Sequence, residues 1–336
     1  MSHNTLQFIG TQRSGSNLLR LMLDAHTDIS APHPPHLLKN FHPLSSYYGE
    51  LDQYGSRFLL VNDMCDWVEA NPVPWEGTML DRERITEHSS NLIDVFRLIY
   101  EARMKADKAA IWCCKSTFNL RYIHDLETQL QPFYIYLYRD GRDVASSFKK
   151  TIVGPKHTFH LAKKWSTEQK AVLRFLNTIS DKRYFSISYE ELLSDPEKIM
   201  RSLCSKIGVP FQSDMLQFYA SRESALTAGS GEMWKNVLRP VMKNNSGKYL
   251  TELTSSDIAL FESVAGIQLK QLGYGLNTEG DLEYEGLINQ YDTINQQMQL
   301  KAQLNASEKD KLKRARQQEL LRSIHNRFGL RDVQAI

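Results

Sequence analysis

Cysteine is scarce in this chain: four residues in 336, at Cys65, Cys113, Cys114 and Cys204. No spacing among them is that of a zinc or redox motif, and the adjacent pair does not suit a disulfide framework, so a reducing compartment is expected. Long apolar runs are missing as well, and the N-terminus has no stretch long enough for a signal peptide or a membrane anchor. Neither charge sign dominates. The 41 basic and 39 acidic residues leave a net charge of +2, which gives no footprint for general nucleic-acid binding. There are no internal repeats. With 41% apolar and 24% charged residues, the chain has the composition of a globular protein and the length for one large α/β domain plus an appendage.

What is present gathers at two places. Leu6 to Ile9 reads as a short buried strand, and Asn17 to Ala25 as a helix with a wide apolar face. Between them lies Gly10-Thr11-Gln12-Arg13-Ser14-Gly15-Ser16-Asn17. A strand, a glycine loop and a helix start bring backbone N–H groups and the helix dipole to one point, which is an anion cradle. The glycine spacing is that of an ATP-binding P-loop, but Ser16 stands where such a loop places its lysine, and the positive charge comes earlier, at Arg13. The loop suits a phosphate-like group other than the β/γ-phosphates of ATP.

Phe133 to Tyr138 is a β-branched and aromatic run, hence a buried strand. Arg139 follows it, and a helix is expected to start near Asp140 or Asp143. Arg139 then sits at the carboxyl end of a parallel strand, where open α/β sheets bind ligands, and Ser147 lies two helical turns in. An arginine fork and a hydroxyl so placed suit a second phosphate.

These residues resemble the sulfotransferases that use 3′-phosphoadenosine 5′-phosphosulfate (PAPS), in particular the tyrosylprotein and bacterial branch. Arg13-Ser14-Gly15-Ser16 is similar to the 5′-phosphosulfate loop of that family, and Arg139 with Ser147 to its 3′-phosphate pair. Leu23-Asp24-Ala25-His26, Tyr189-Glu190-Glu191-Leu192 before Asp195-Pro196, Trp234-Lys235-Asn236 and Leu272-Gly273-Tyr274 extend the resemblance from about Leu6 to about Leu276. The resemblance implies a P-loop-type three-layer α/β/α fold with a central parallel sheet. It also implies PAPS as co-substrate and adenosine 3′,5′-bisphosphate (PAP) as product, with no metal. Ser14, Gly15, Ser16 and Asn17 would hold the 5′ end, Arg139 and Ser147 the 3′-phosphate, and Tyr189 would lie near adenine. Trp234 and Lys235 would close over the nucleotide. Golgi relatives carry a membrane anchor, so its absence here leads to the expectation of a cytoplasmic, bacterial protein.

Along the rest of the chain, Ala31 to His36 is stiffened by its prolines. Residues 40–110 carry aromatics (Phe41, Tyr47, Tyr48, Tyr54, Phe58, Trp67, Trp75) and a helix over about Ser89 to Lys105, and here the acceptor site is expected. Ala109 to Cys114 is a second core strand ending at Lys115, and Tyr184 to Ser188 a further strand. Helices are expected over His160–Thr178, Pro196–Ile207 and Asp257–Leu272, and a long loop over 220–250. Residues 1–280 thus form the domain and 281–336 a helical tail. The tail has an apolar stripe at Leu287, Tyr291, Ile294 and Met298, and a basic run at Lys309, Lys311, Lys313, Arg314 and Arg316. A second stripe follows at Leu320, Leu321, Ile324 and Phe328. Two docked helices are favoured over a coiled coil that pairs two chains into a homodimer.

Sulfuryl transfer to a hydroxyl acceptor needs a cation where charge builds on the leaving phosphate, and Arg13 and Lys115 are the candidates. It also needs a base. Many relatives use a Glu shortly after the first helix, whereas this chain has Ala31 to His36 there, with His33 nearest that position and His36 as the alternative. The acceptor is expected to be a small molecule with a hydroxyl group. Two rival readings share the loop: a P-loop kinase for a nucleotide or small molecule, and a non-catalytic nucleotide-binding module.

Overall fold

The uniformly apolar run Phe133–Tyr138 divides in space by strand alternation. Phe133, Ile135 and Leu137 join one core, while Tyr134, Tyr136 and Tyr138 join another on the opposite face. The structure, a computed structural model, describes residues 4–279, 282–305 and 308–330, and the side chains of Lys309, Lys311 and Lys313 lie outside what it describes. Its sheet holds β1 (Thr5–Ile9), β2 (Ile29–Ser30), β3 (Ile111–Cys114), β4 (Phe133–Tyr138) and β5 (Tyr184–Ser188) in the order β2-β3-β1-β4-β5. Every pairing is parallel. Parallel neighbours need crossovers, and helices supply them on both faces. On one face α1 (Ser16–Asp24) packs Leu19, Met22 and Leu23 with Phe8 and Ile135. On the other face Val172 and Leu176 pack on Tyr134 and Tyr136, and Phe96, Ile99 and Tyr100 pack near Trp112.

This order places the site. After β1 the chain runs toward β2; after β4 it runs the other way, to β5. The crevice between the carboxyl ends of β1 and β4 is therefore the switch point where open sheets bind ligands. The loop after β1 and the start of α2 (Gly141–Lys149) flank it. Asp140 caps α2, its carboxylate accepting from the Arg142 N–H at 2.9 Å.

Helix ends follow caps that periodicity alone does not reveal. The helix expected from Ser89 begins at Leu92, because the Asn91 side chain accepts from the Asp94 N–H at 2.9 Å. Those expected from His160 and Asp257 run over Thr158–Leu176 (α3) and Ser255–Gln271, with Thr254 capping the second. The long loop expected over 220–250 is a correction. Ser221 caps a helix over Arg222–Gly229, a 3-10 turn covers Glu232–Leu238, and loop remains only between 239 and 248.

The second tail stripe faces the domain, whereas of the first only Tyr291 and Ile294 are half-buried and Leu287 and Met298 are exposed. Helix α4 (Ile288–Leu304) stacks Tyr291 on His157 at 4.4 Å between ring centres. Helix α5 (Glu308–Arg327) buries Ile324 fully and pairs Arg327 with Asp63 at 2.6 Å. A homodimer through these helices would have to use their outward faces, where Leu300 and Leu304 are exposed. Among the described residues no helix is long and apolar enough to cross a membrane.

Candidate active site

A cavity of about 1680 Å³ opens at the carboxyl ends of β1 and β4. Pockets for one small ligand hold roughly 300–1,000 Å³, so this one has room for a donor and an acceptor together. Its loop end is lined by Arg13, Gly15, Ser16 and Asn17, with Arg139, Ser147 and Tyr189 opposite.

The loop is shaped for a close approach. Gly15 caps α1 at φ +92°, and a Cβ there would lie 2.3 Å from the Tyr189 ring. Two constraints, the left-handed backbone and the ring, thus require glycine. Gly15→Ala is expected to weaken PAP binding by more than tenfold and to lower stability by about 1–3 kcal/mol, read by titration calorimetry and by denaturant melts. Unchanged PAP affinity would show that the loop does not hold the ligand. Arg13 also has a left-handed backbone, at φ +70°, and so does His36, at φ +57°. Both line the cavity, and strain of this kind gathers at functional sites. The Ser14 hydroxyl and the Asn17 side-chain oxygen are buried with no hydrogen-bond partner among the described residues. A buried hydroxyl left unpaired is costly.

Arg13 Nε–H donates to Ser147 Oγ at 3.1 Å, which joins the loop to α2. Arg139 lies over the Tyr189 ring at 4.4 Å, donates to the Asn245 carbonyl at 2.9 Å and pairs with Asp143 at 3.2 Å. Its Nε is buried without a partner. The Asp143 carboxylate has other work: it accepts the Gly247 and Tyr249 N–H groups at 2.8 and 2.9 Å, holding the late loop over the site. Burial and then the neighbouring Arg139 push the Arg13 pKa down. Phosphate groups would offset the charge of two arginines held so close together, and the residues present therefore fit a ligand that carries phosphate groups.

Deeper in the cavity, Lys115 follows β3 and is nearly buried. Burial, then Arg20 and Arg13, lower its pKa to about 7. His33 faces the same space, and its ring meets Trp234 edge-on at 5.3 Å. The backbone around it is tied from several elements. Arg20 donates to the Ala31 carbonyl at 2.9 Å, and Asp24 accepts the Ala31 N–H at 2.9 Å. Glu223 accepts the His33 N–H at 3.2 Å, and Trp75 Nε1–H donates to the His33 carbonyl at 2.9 Å. The imidazole itself is left over: both ring nitrogens are buried without partners among the described residues. Burial, then Lys115, holds its pKa well below the ordinary value, so the ring is neutral. His36 differs, since its Nδ1 is engaged with Ser116 Oγ at 2.9 Å.

Of the residues singled out in the sequence, Arg13, Gly15, Ser16, Asn17, His33, Lys115, Arg139, Ser147, Tyr189 and Trp234 all line this cavity. Ser14 and Lys235 do not: Ser14 is fully buried, and Lys235 is exposed, with its neighbour Asn236 lining the cavity instead. The aromatics of 40–110 divide: Phe41, Tyr48 and Trp75 are core, whereas Tyr47 and Trp67 reach the cavity. Sequence reasoning missed Asn245, whose side chain donates to the Tyr189 hydroxyl at 2.6 Å, and Glu223, which holds the His33 backbone. The polar run Lys243-Asn244-Asn245-Ser246-Gly247 was the available signal for the first; Glu223 left none.

Comparison with known proteins agrees with this geometry. Protein-tyrosine sulfotransferase A of Caenorhabditis elegans is 25% identical over 279 residues, covering 80% of this chain and 66% of that protein. Protein-tyrosine sulfotransferase 1 of Danio rerio is 26% identical over 284 residues, covering 79% and 70%. The enzyme of Drosophila melanogaster is 23% identical, with half of its length covered, so the chain spans only part of these relatives. Among solved structures, the sulfotransferase domain of the Synechococcus PCC 7002 olefin synthase superposes with TM-score 0.56 at 22% identity, over 82% of this chain and 96% of that one. The sulfotransferase domain of the curacin biosynthetic pathway gives 0.55 at 20%, over 82% and 99%; both likenesses are of fold. The profile of the sulfotransferase family matches residues 7–213, more than half of the sequence, and the chain belongs to that family.

Proposed function

We propose that the protein transfers a sulfuryl group from PAPS to a hydroxyl acceptor and releases PAP. One observation carries the reading: the Gly15 loop, Arg13, Ser147 and Arg139 converge on one end of a cavity whose middle presents Lys115 and an unpartnered His33. The loop N–H groups and Ser16 bind the 5′ end, and Arg139 and Ser147 bind the 3′-phosphate. PAPS, when bound, supplies an activated sulfur–oxygen bond to its own phosphate. Arg13 and Lys115 stabilise the negative charge on that phosphate oxygen as the bond breaks. His33 Nδ1 or Nε2 takes the acceptor hydroxyl proton as the new sulfur–oxygen bond forms. Trp234 and the late loop limit access of water. Cytoplasmic residence in a bacterium is the setting we propose. Four buried, unpaired thiols support a reducing compartment.

The test is calorimetric titration of PAP into the chain without added metal, followed by ATP with Mg²⁺. Micromolar PAP binding is expected. Absence of PAP binding, with ATP bound only in the presence of Mg²⁺, would overturn the reading in favour of a kinase.

A further inference from the structure

Helix α2, which carries Ser147, runs on into a loop to which the transfer chemistry assigns no role. Thr151, Val153, Gly154 and Pro155 of this loop line the cavity. The loop is tightly folded. Gly154 has φ +74°, and a Cβ there would lie 2.8 Å from the Phe148 ring. Lys156 is buried and ties the turn from within, its ammonium donating to the Phe148 and Val153 carbonyls at 2.8 and 2.9 Å. Burial, then Arg13, lower the Lys156 pKa to about 8, so this loop lies within the field of the arginine of the glycine loop.

The outer side of the loop is held by the tail. Asn295, in α4, accepts with its Oδ1 both the Lys156 and the His157 N–H, at 2.8 and 3.1 Å. Gln299, one turn on, donates from Nε2 to the Gly154 carbonyl at 3.3 Å, and its Oε1 accepts from Asn295 Nδ2 at 3.1 Å. Tyr291, one turn earlier, stacks on His157 and meets the Phe159 ring at 5.5 Å. One stripe of α4 makes all of these contacts, since the three residues follow each other at helical spacing. The same stripe secures the start of α3, because His157 caps that helix and accepts the Phe159 N–H at 3.3 Å. From α3, Gln169 Nε2–H donates to Thr11 Oγ1 of the glycine loop at 3.0 Å. No described residue of α4 lines the cavity itself, so any effect of this helix on a ligand passes through what it holds.

We propose that α4 braces the nucleotide site, that Asn295 is the positioning residue which fixes the 151–157 loop against the donor end of the cavity, and that nucleotide binding and the docking of α4 strengthen each other. The proposal rests on the sulfotransferase reading, which puts PAP at that end. Two backbone N–H groups deprived of the Asn295 oxygen would have to turn toward water, and the loop would open with them. A loop already held in its bound shape loses less conformational freedom when a ligand arrives, and affinity gains by that difference. Coupling of this kind is reciprocal: if the docked stripe favours the nucleotide, the nucleotide favours the docked stripe.

Two measurements on the full chain test this, with PAP as the ligand. In the wild type, PAP is expected to slow amide hydrogen exchange over 288–304 as well as over 10–17. Calorimetric titration then compares Asn295→Leu with Asn295→Asp. The leucine variant removes the acceptor of both N–H groups and should bind PAP about tenfold more weakly, the scale of one or two lost hydrogen bonds. The aspartate variant keeps an oxygen for both and should stay within about twofold of the wild type. Protection by PAP confined to 10–17, with 288–304 unchanged, would overturn the proposal. So would equal PAP affinity in the wild type and Asn295→Leu, or an equal loss in both variants. The exchange measurement needs no variant and decides the matter even where Asn295→Leu does not fold. Failure of the wild type to bind PAP would instead overturn the sulfotransferase reading itself.

Discussion

Lys115→Met is expected to lower turnover by about 10²–10³, with PAP affinity changed far less. The ammonium lines the cavity close enough to both Arg13 and His33 for its charge to be felt by them. Its charge matters most when the leaving phosphate gains negative charge, so its loss falls on the transition state more than on binding. The pH dependence gives the signature. Burial and two arginines lower the Lys115 pKa to about 7, so in the free enzyme the ammonium loses its proton as pH rises through that value. Since the charged form is the useful one, kcat/KM should fall above about pH 7. Bound phosphates favour the ammonium and raise its pKa, so the fall in kcat should come at higher pH. His33 must be neutral to act, and its pKa is held well below the ordinary histidine value. No acid-side loss is therefore expected near 6.5. Lys115→Arg keeps a charge at every pH and should abolish the alkaline fall, even with a lower rate. An alkaline limb unchanged in Lys115→Arg would assign it to another group.

Arg139→Ala is expected to weaken PAP binding by roughly 2–5 kcal/mol, a loss of about thirtyfold or more. The contrast with adenosine 5′-phosphate makes the test specific: lacking the 3′-phosphate, it should lose little affinity in the same variant. The fold should survive, because Asp143 keeps the Gly247 and Tyr249 N–H groups when its arginine is gone. Arg139→Lys should recover only part of the binding, since a point charge cannot reproduce the guanidinium fork that lies over Tyr189. Equal losses for both nucleotides would mean that Arg139 supports the loop and does not read the 3′-phosphate.

The proposed phosphate site was legible because its parts are local. A strand, a loop with glycine at fixed spacing and a helix are written in consecutive residues, and the same holds for Arg139, which follows β4, and Ser147, in the helix that begins two residues later. The sheet was legible for a similar reason. Short apolar runs bounded by turns mark strands, although only the structure divides the six residues of β4 between two cores.

Acceptor-side features were less legible. The aromatics of 40–110 looked like a binding surface, yet most of them fill the core around Trp112, because apolar composition does not distinguish a wall from an interior. The tail looked like an appendage, yet α5 lines the cavity with Arg314 and Leu321. The sequence placed a neutral histidine near the expected position of the base. It could not say that His36 would be engaged with Ser116 while His33 kept both ring nitrogens without partners, since that depends on contacts more than 70 residues apart. By itself, then, the sequence determined the strands, the glycine loop and the Arg139–Ser147 pair that we propose for the 5′ and 3′ phosphates, all set by short-range spacing. Tertiary structure alone decided which histidine stands ready, how far the Lys115 proton is loosened, and what closes the far end of the cavity. Burial and charge proximity set all three, and both arise only when distant segments meet.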